Sequence, residues 1–328
     1  MAGPPHALGL RLIIQLKRAT RAGLYLRRLS RRRPGLRRSE QVLGLALVLP
    51  TVLLIAAVVL YPMISTLWLS LFNDNLLRPD ETGQFVGLRN FARLVQDAAF
   101  WKVAQNTVVL TGSAVAGEIV FGMIVALTLN ASYHGRGLLR TLNILPWVVP
   151  SFVTAFIWIW MLHPQFGPVN ALLQWLRVSP EPILWLSDGT LAMISLIVVS
   201  IWKGLPWTFL VLLAALQTIP EDWYEAAKVD GASPWQMFRH ITLPSLRYIL
   251  VIVLVLRTIW TFNSFDMVYL LTGGGPARAT LTLPMRVYTS TFLEYSVGMG
   301  SAIAALMVIV VVATSLMVLR LGQVEEWG

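Results

Sequence analysis

The apolar positions of this chain fall into long unbroken blocks, not at the alternating or one-face spacing of soluble strands and helices. Six blocks stand out: Val42–Phe72, Val103–Leu129, Leu138–Leu162, Leu191–Leu216, Leu246–Leu271 and Val297–Leu321. A helix of roughly 20 apolar residues crosses the hydrocarbon core of a bilayer, and each block reaches that length. Backbone in lipid must satisfy its own hydrogen bonds, so each block is predicted to be helical. The runs are continuous, which argues against a β-barrel. The predicted fold class is all-α: a polytopic membrane protein with six transmembrane helices. Pro50 and Pro62 sit inside the first block. Gly204 and Pro206, inside the fourth, mark a place where that helix could loosen.

Composition supports this reading. Of 328 residues, 56% are hydrophobic and 13% charged, against about a quarter charged in a soluble domain. A net charge of +10 suggests nucleic acid in some proteins. Here the excess precedes the first block, in Arg11, Lys17, Arg18, Arg21, Arg27, Arg28, Arg31, Arg32, Arg33, Arg37 and Arg38. Basic residues flanking a span stay in the cytoplasm. The expected organisation is a cytoplasmic tail (residues 1–41), a transmembrane domain (42–322) and a cytoplasmic C-terminus (323–328). The turn around Arg136 and Arg140 and the loop 219–245 then face inward, and 73–102, 163–190 and 272–296 face outward. The tail admits two readings. Leu10, Ile13, Ile14, Leu24, Tyr25 and Leu29 could line one side of an interfacial helix, or the tail could be a solvated basic arm. No removable signal peptide is expected.

The cytoplasmic loop carries the most information. Glu225 to Val229 favours helix, and Gly231 can end it in a left-handed conformation. Ser233 is placed to cap a second helix, with Pro234 at its first position and Gln236 completing a capping box. Trp235, Phe238 and Ile241 share a face. The expected product is a bent helical knob, which could pack on its own bundle or meet a partner.

The order Glu225-Ala226-Ala227, then Gly231, then Ile241-Thr242-Leu243-Pro244 resembles the "EAA" motif of permeases from binding-protein-dependent ABC importers. Thr272-Gly273-Gly274-Gly275-Pro276 with Ala279-Thr280, Gly135-Arg136-Gly137 with Pro146-Trp147 and Pro150, Val86-Gly87-Leu88 with Asn90, and Asn106-Thr107 resemble the carbohydrate-uptake branch. The similarity extends to subunits like the larger membrane protein of the maltose importer, without its extra N-terminal helices and large periplasmic insertion. The resemblance implies that the knob is a coupling helix, with Glu225, Ala226, Ala227, Asp230, Gly231, Trp235 and Phe238 meeting an ATPase. It also implies a second homologous permease, two ATPase domains, an extracytoplasmic sugar-binding protein and a multi-pass place in a bacterial or archaeal cytoplasmic (inner) membrane. ATP and Mg would reside on the partner ATPase and no cofactor on this chain.

Ionisable groups inside a membrane are costly, about 2.5–3.5 kcal/mol at a helix centre on insertion scales. Glu118, Lys203, Arg257 and Asp266 lie within the predicted spans. Ser200, Lys203, Gly204 and Trp207 recur at helical spacing on one span, and Arg257, Trp260, Thr261 and Ser264 on another. Polar groups beside indole rings suit a sugar, which offers hydroxyls and a C–H face. On the resemblance, these eight residues are the expected substrate contacts. Alternatively, Arg257 or Lys203 pairs with Glu118 or Asp266 to tie helices together.

Other chemistry has little footing. No phosphate-loop sequence occurs, and the scattered His6, His134, His163 and His240 have no metal-ligand spacing. Without cysteine, thiol chemistry is excluded. The expected function is a non-catalytic permease subunit for a sugar, a di- or oligosaccharide. The alternatives are a permease for another solute, such as a phosphorylated polyol, and an ion-coupled secondary transporter.

Overall fold

The computed structural model describes residues 38–77, 80 and 82–322. Most of the basic tail, residues 1–37, and the terminal segment 323–328 lie outside the described residues. The chain divides into two compact units at Ile64/Ser65. In the first, helix α1 (Arg38–Ile55) runs into a π turn, Ala56–Leu60. This turn ends just before Pro62, whose ring cannot accept a regular turn behind it.

The second unit is a helical bundle. It contains α2 (Tyr61–Leu69, begun in the first unit), a two-stranded hairpin β1 (Phe72–Asn73) and β2 (Gln84–Phe85), α3 (Arg89–Gln96) and the long α4 (Ala98–Asn130). There follow α5 (Arg136–Val148), α6 (Ser151–Met161), α7 (Pro168–Trp175), α8 (Gly189–Leu216), α9 (Glu221–Val229) and α10 (Pro234–Met237). After a π turn (Phe238–Thr242) come α11 (Leu243–Ser245), α12 (Arg247–Phe262), α13 (Asp266–Leu271), α14 (Leu283–Tyr288), a further π turn (Thr289–Leu293) and α15 (Val297–Gly322). The hairpin pairs Phe72 with Phe85 and Asn73 with Gln84, antiparallel.

Among the described residues, four helices are long and apolar enough to cross a membrane unaided: Val42–Leu69, Ala98–Asn130, Gly189–Leu216 and Val297–Arg320. Two bent pairs bring the number to six if each counts as one span. The third predicted span is not a single rod. Its halves α5 and α6 meet at 100°, because Pro146 and Pro150 remove donors and Val149 is forced into extended backbone before a proline. The fifth predicted span is interrupted at Asn263–Phe265, between α12 and α13. At its other end, the segment Pro234–Ser245 turns 67° into α12. Gly204 and Pro206 do not loosen the fourth span, since α8 is helical throughout.

α4 and α8 form the central pair. Gly122 lets them approach: a Cβ there would lie 2.8 Å from Thr208 Cγ2. Two apolar clusters occupy the two halves of the bundle. One gathers Leu110, Leu196, Val199, Val268 and Ile303. The other gathers Met123, Ala126, Phe209, Leu212 and Leu246. The charged residues Glu118, Lys203 and Arg257 fall between them along α4, α8 and α12.

Loops at one end are tied down by buried asparagines. Asn90 Nδ2 donates to the carbonyls of Ser70 and Phe72, both at 2.9 Å. Asn106 Nδ2 donates to Arg278 O and Leu281 O, both at 3.1 Å. Beside it, Thr107 Oγ1 accepts from Leu283 N–H at 2.9 Å. The start of α4 thereby holds a loop some 175 residues away in sequence. Asn106→Leu is expected to strand these carbonyls and lower stability by about 1–3 kcal/mol. Thermal unfolding of the purified chain in detergent checks this, and an unchanged midpoint would contradict it.

Candidate functional site

At mid-bundle, α4 contributes Glu118, which is fully buried. From α12, Arg257 reaches it with two donors, Nε to Oε2 and Nη2 to Oε1. A guanidinium fork matches a carboxylate at two points, so the pair satisfies itself without water. Of the two carboxylates weighed for Arg257, the structure selects Glu118. Gly204 makes the pairing possible. A Cβ at that position would overlap both Arg257 Nη2 and the Glu118 carboxylate.

Lys203, one residue away, has another partner. Its ammonium donates to the carbonyls of Pro146, at 3.1 Å, and Val149. In an unbroken helix the Pro146 carbonyl would accept from the N–H of residue 150, but proline has none. Lys203 replaces the missing donor across the α5–α6 bend.

These groups border a cavity of about 360 Å³. Of the eight residues expected to touch substrate, Ser200, Lys203, Gly204, Arg257, Trp260, Thr261 and Ser264 line it. Trp207 does not. It stands behind Trp260, edge to face, with centroids 4.8 Å apart. The Arg257 guanidinium lies 5.7 Å from the Trp260 ring centre, within cation–π range. Trp260 is about half exposed. Six more residues, Trp147, Ser151, Asn263, Phe265, Asp266 and Met267, complete the wall with Glu118. Trp147 and Ser151 reach the cavity because the α5–α6 bend folds the start of α6 over it. The cavity thus offers an accessible indole, several hydroxyls, an amide and a carboxylate.

The loop 219–245 forms the predicted knob. α9 ends in a Schellman motif: Ala232 N–H reaches Ala227 O (2.9 Å) and Gly231 N–H reaches Lys228 O (3.1 Å). Gly231 takes φ +78°, which a side chain would strain. Ser233 and Gln236 form the reciprocal capping box, with Pro234 at the first position. Glu225, Ala226, Asp230, Gly231 and Trp235 are exposed, and Ala227 and Phe238 are half-buried. Trp235 stacks on Phe238 with centroids 5.5 Å apart. A tie missed in the sequence reading joins the two arms, Tyr224 Oη to Thr242 Oγ1 at 2.9 Å.

Residues 118–323 match the model of the binding-protein-dependent transport system inner membrane component. The chain belongs to this family. The matched stretch begins at Glu118 and takes in the cavity and the knob. The permease is 37% identical over 285 residues to the trehalose/maltose transport system permease protein MalF of Thermococcus litoralis, covering 87% of this chain and 95% of that one. It is 34% identical over 274 residues to the trehalose transport system permease protein SugA of Mycobacterium tuberculosis, covering 84% and 86%. A bacterial ABC transporter that imports the acidic polysaccharide alginate contains a chain of the same fold, at a TM-score of 0.75 and 24% identity, covering 87% of this chain and 96% of that one. A second structure of the alginate transporter, in complex with a pentasaccharide-bound periplasmic protein, aligns at the same TM-score of 0.75 and 24% identity, covering 87% and 95%.

Removing one member of a buried ion pair strands the other, at about 3–5 kcal/mol. Arg257→Met in the permease is expected to lower the melting temperature sharply, and the double change Arg257→Met with Glu118→Gln to restore most of the loss. A single variant as stable as the parent would show that the pair does not hold the bundle.

Proposed function

We propose that this chain is the non-catalytic transmembrane subunit of an ATP-driven importer, that its cavity holds an uncharged sugar, and that the sugar is a di- or oligosaccharide moved inward by alternating access. The state of the two cations carries the reading. Arg257 is neutralised by Glu118, and two of the three Lys203 donors go to carbonyls, so most of their capacity to hold an anion is already committed. Asp266, on the wall and exposed, would repel one. This disfavours a phosphorylated polyol. What remains available suits sugar hydroxyls and a C–H face: the Trp260 ring, the Ser264 hydroxyl and the acceptor oxygens of Ser200 and Asn263, whose donors reach Leu196 O and Ile259 O. The trehalose and maltose relatives point the same way. A secondary transporter would not need the knob, and of the two carboxylates it could use Glu118 is locked in its pair.

In this reading the knob faces the cytoplasm and docks on one of two ATPase domains, which hold ATP and Mg. A second permease and an extracytoplasmic sugar-binding protein complete the assembly, in the cytoplasmic membrane with both ends of the chain inside. The knob is braced within itself by its Schellman motif, its capping box and the Tyr224–Thr242 contact, and Phe238 packs it on the bundle.

Two experiments test the proposal. Trp260→Ala removes the stacking face and is expected to weaken sugar handling by about 1–3 kcal/mol, roughly five- to 150-fold, while the complex still assembles. Transport of a sugar acid at a rate matching its neutral counterpart, each presented on a binding protein, would overturn the uncharged-sugar reading. Separately, proline fixes φ near −65° and cannot adopt the Gly231 conformation. Gly231→Pro should leave ATP hydrolysis running but abolish uptake, and parental uptake would refute the docking role.

A further inference from the structure

Four aromatic rings continue outward from the cavity wall. Phe265 lines the cavity. Its ring stacks on Tyr269, centroids 5.2 Å apart, and lies 5.1 Å from Tyr288. Tyr288 in turn lies 5.4 Å from Phe292. Exposure is greatest at the end away from the cavity. Phe265 and Tyr288 are half-buried, whereas Tyr269 is 44% and Phe292 62% exposed.

The outer ring is held on a fixed support. Phe292 belongs to the π turn Thr289–Leu293, which is closed by the Arg286–Glu294 ion pair. Ser290 Oγ contacts Glu294 Oε2 at 3.4 Å, and Ser296 N–H donates to Ser290 O at 2.9 Å. The turn that carries this large aromatic side chain is therefore held in place, and the ring itself is not enclosed. Phe265 and Tyr288 pack on the apolar core, and the Tyr269 and Tyr288 phenols meet each other; Phe292 extends the run of π faces beyond that packing.

We propose that Phe265, Tyr288 and Phe292, with Tyr269 beside them, form a second carbohydrate subsite, an entry track along which a pyranose passes ring to ring into the cavity. The sugar's C–H face rests on the aromatic faces, and the tyrosine hydroxyls offer hydrogen bonds at its rim. The track rests on the reading of the cavity as a sugar site. Its continuity with that cavity through Phe265 favours a sugar over the other two occupants of an exposed aromatic stripe, interfacial lipid and a docked protein.

The test uses the assembled importer in proteoliposomes, with trehalose or maltose presented on the binding protein. Phe292→Leu keeps an apolar side chain and removes the π face. The maximal uptake rate is expected to fall about two- to tenfold, with the half-saturating concentration of loaded binding protein and the melting temperature unchanged. Phe292→Tyr should restore the rate. Full activity of Phe292→Leu overturns the track and leaves stripe and lipid as partners. A rise in the half-saturating concentration with the maximal rate kept also overturns it, in favour of protein docking. Trp260→Ala, measured in parallel, separates the two readings. If that variant transports normally the cavity assignment fails, whereas an impaired Trp260→Ala beside a normal Phe292→Leu removes the track alone.

Discussion

Glu118 and Arg257 carry opposite charges at a depth where water is scarce, and the helices around them are arranged so that neither charge is left alone. A single ionised side chain at mid-membrane costs about 2.5–3.5 kcal/mol on insertion scales. The two-point pairing removes most of that cost only if α4 and α12 stay in register. Gly204 of α8 must lie against the pair, because any side chain there would occupy the space of the carboxylate. Three helices are thus positioned by one contact, with an apolar cluster packed in each half of the bundle.

The cavity is built from the exceptions to helical regularity. α5 and α6 break at a proline pair, and α12 and α13 part at Asn263–Phe265. Each break turns polar or aromatic groups toward a shared space that straight helices would have kept apart. Non-helical backbone at such a depth is tolerated where protein or a water-lined cavity covers it. Here Lys203 covers one break from the neighbouring helix.

Much of this was legible in the sequence, for identifiable reasons. The spans rest on length and apolarity, which are local properties. The knob rests on Gly231, Ser233, Pro234 and Gln236, whose preferences act over a few residues, and each adopts the predicted conformation. The polar stripes on α8 and α12 came from helical periodicity, and seven of their eight residues reach the cavity. Contacts between distant elements were not legible. Periodicity places Arg257 on a face but cannot choose between Glu118 and Asp266, since the choice depends on how α4 and α13 lie. It cannot show that Trp207 stands behind Trp260. The lysine across the bend joins residues 57 apart, and Trp147 and Ser151 enter the cavity only because of that bend. An apolar run with prolines reads as one span until the missing donors are followed to the group that replaces them.

The replaced donor at Pro150 also limits how the molecule can be deformed. Straightening α5 onto α6 would not recover a hydrogen bond for the Pro146 carbonyl, because the chain holds no N–H there to offer. The angle between these segments is therefore no reservoir of flexibility. The Pro146 carbonyl keeps a partner only while α8 remains within reach of the lysine stem. Any rearrangement of the bundle that keeps water out must carry the elbow and the middle of α8 together, so that relative sliding is left to interfaces elsewhere. In mechanical terms the elbow and α8 form one link of the machine, and its joints must be sought at that link's ends.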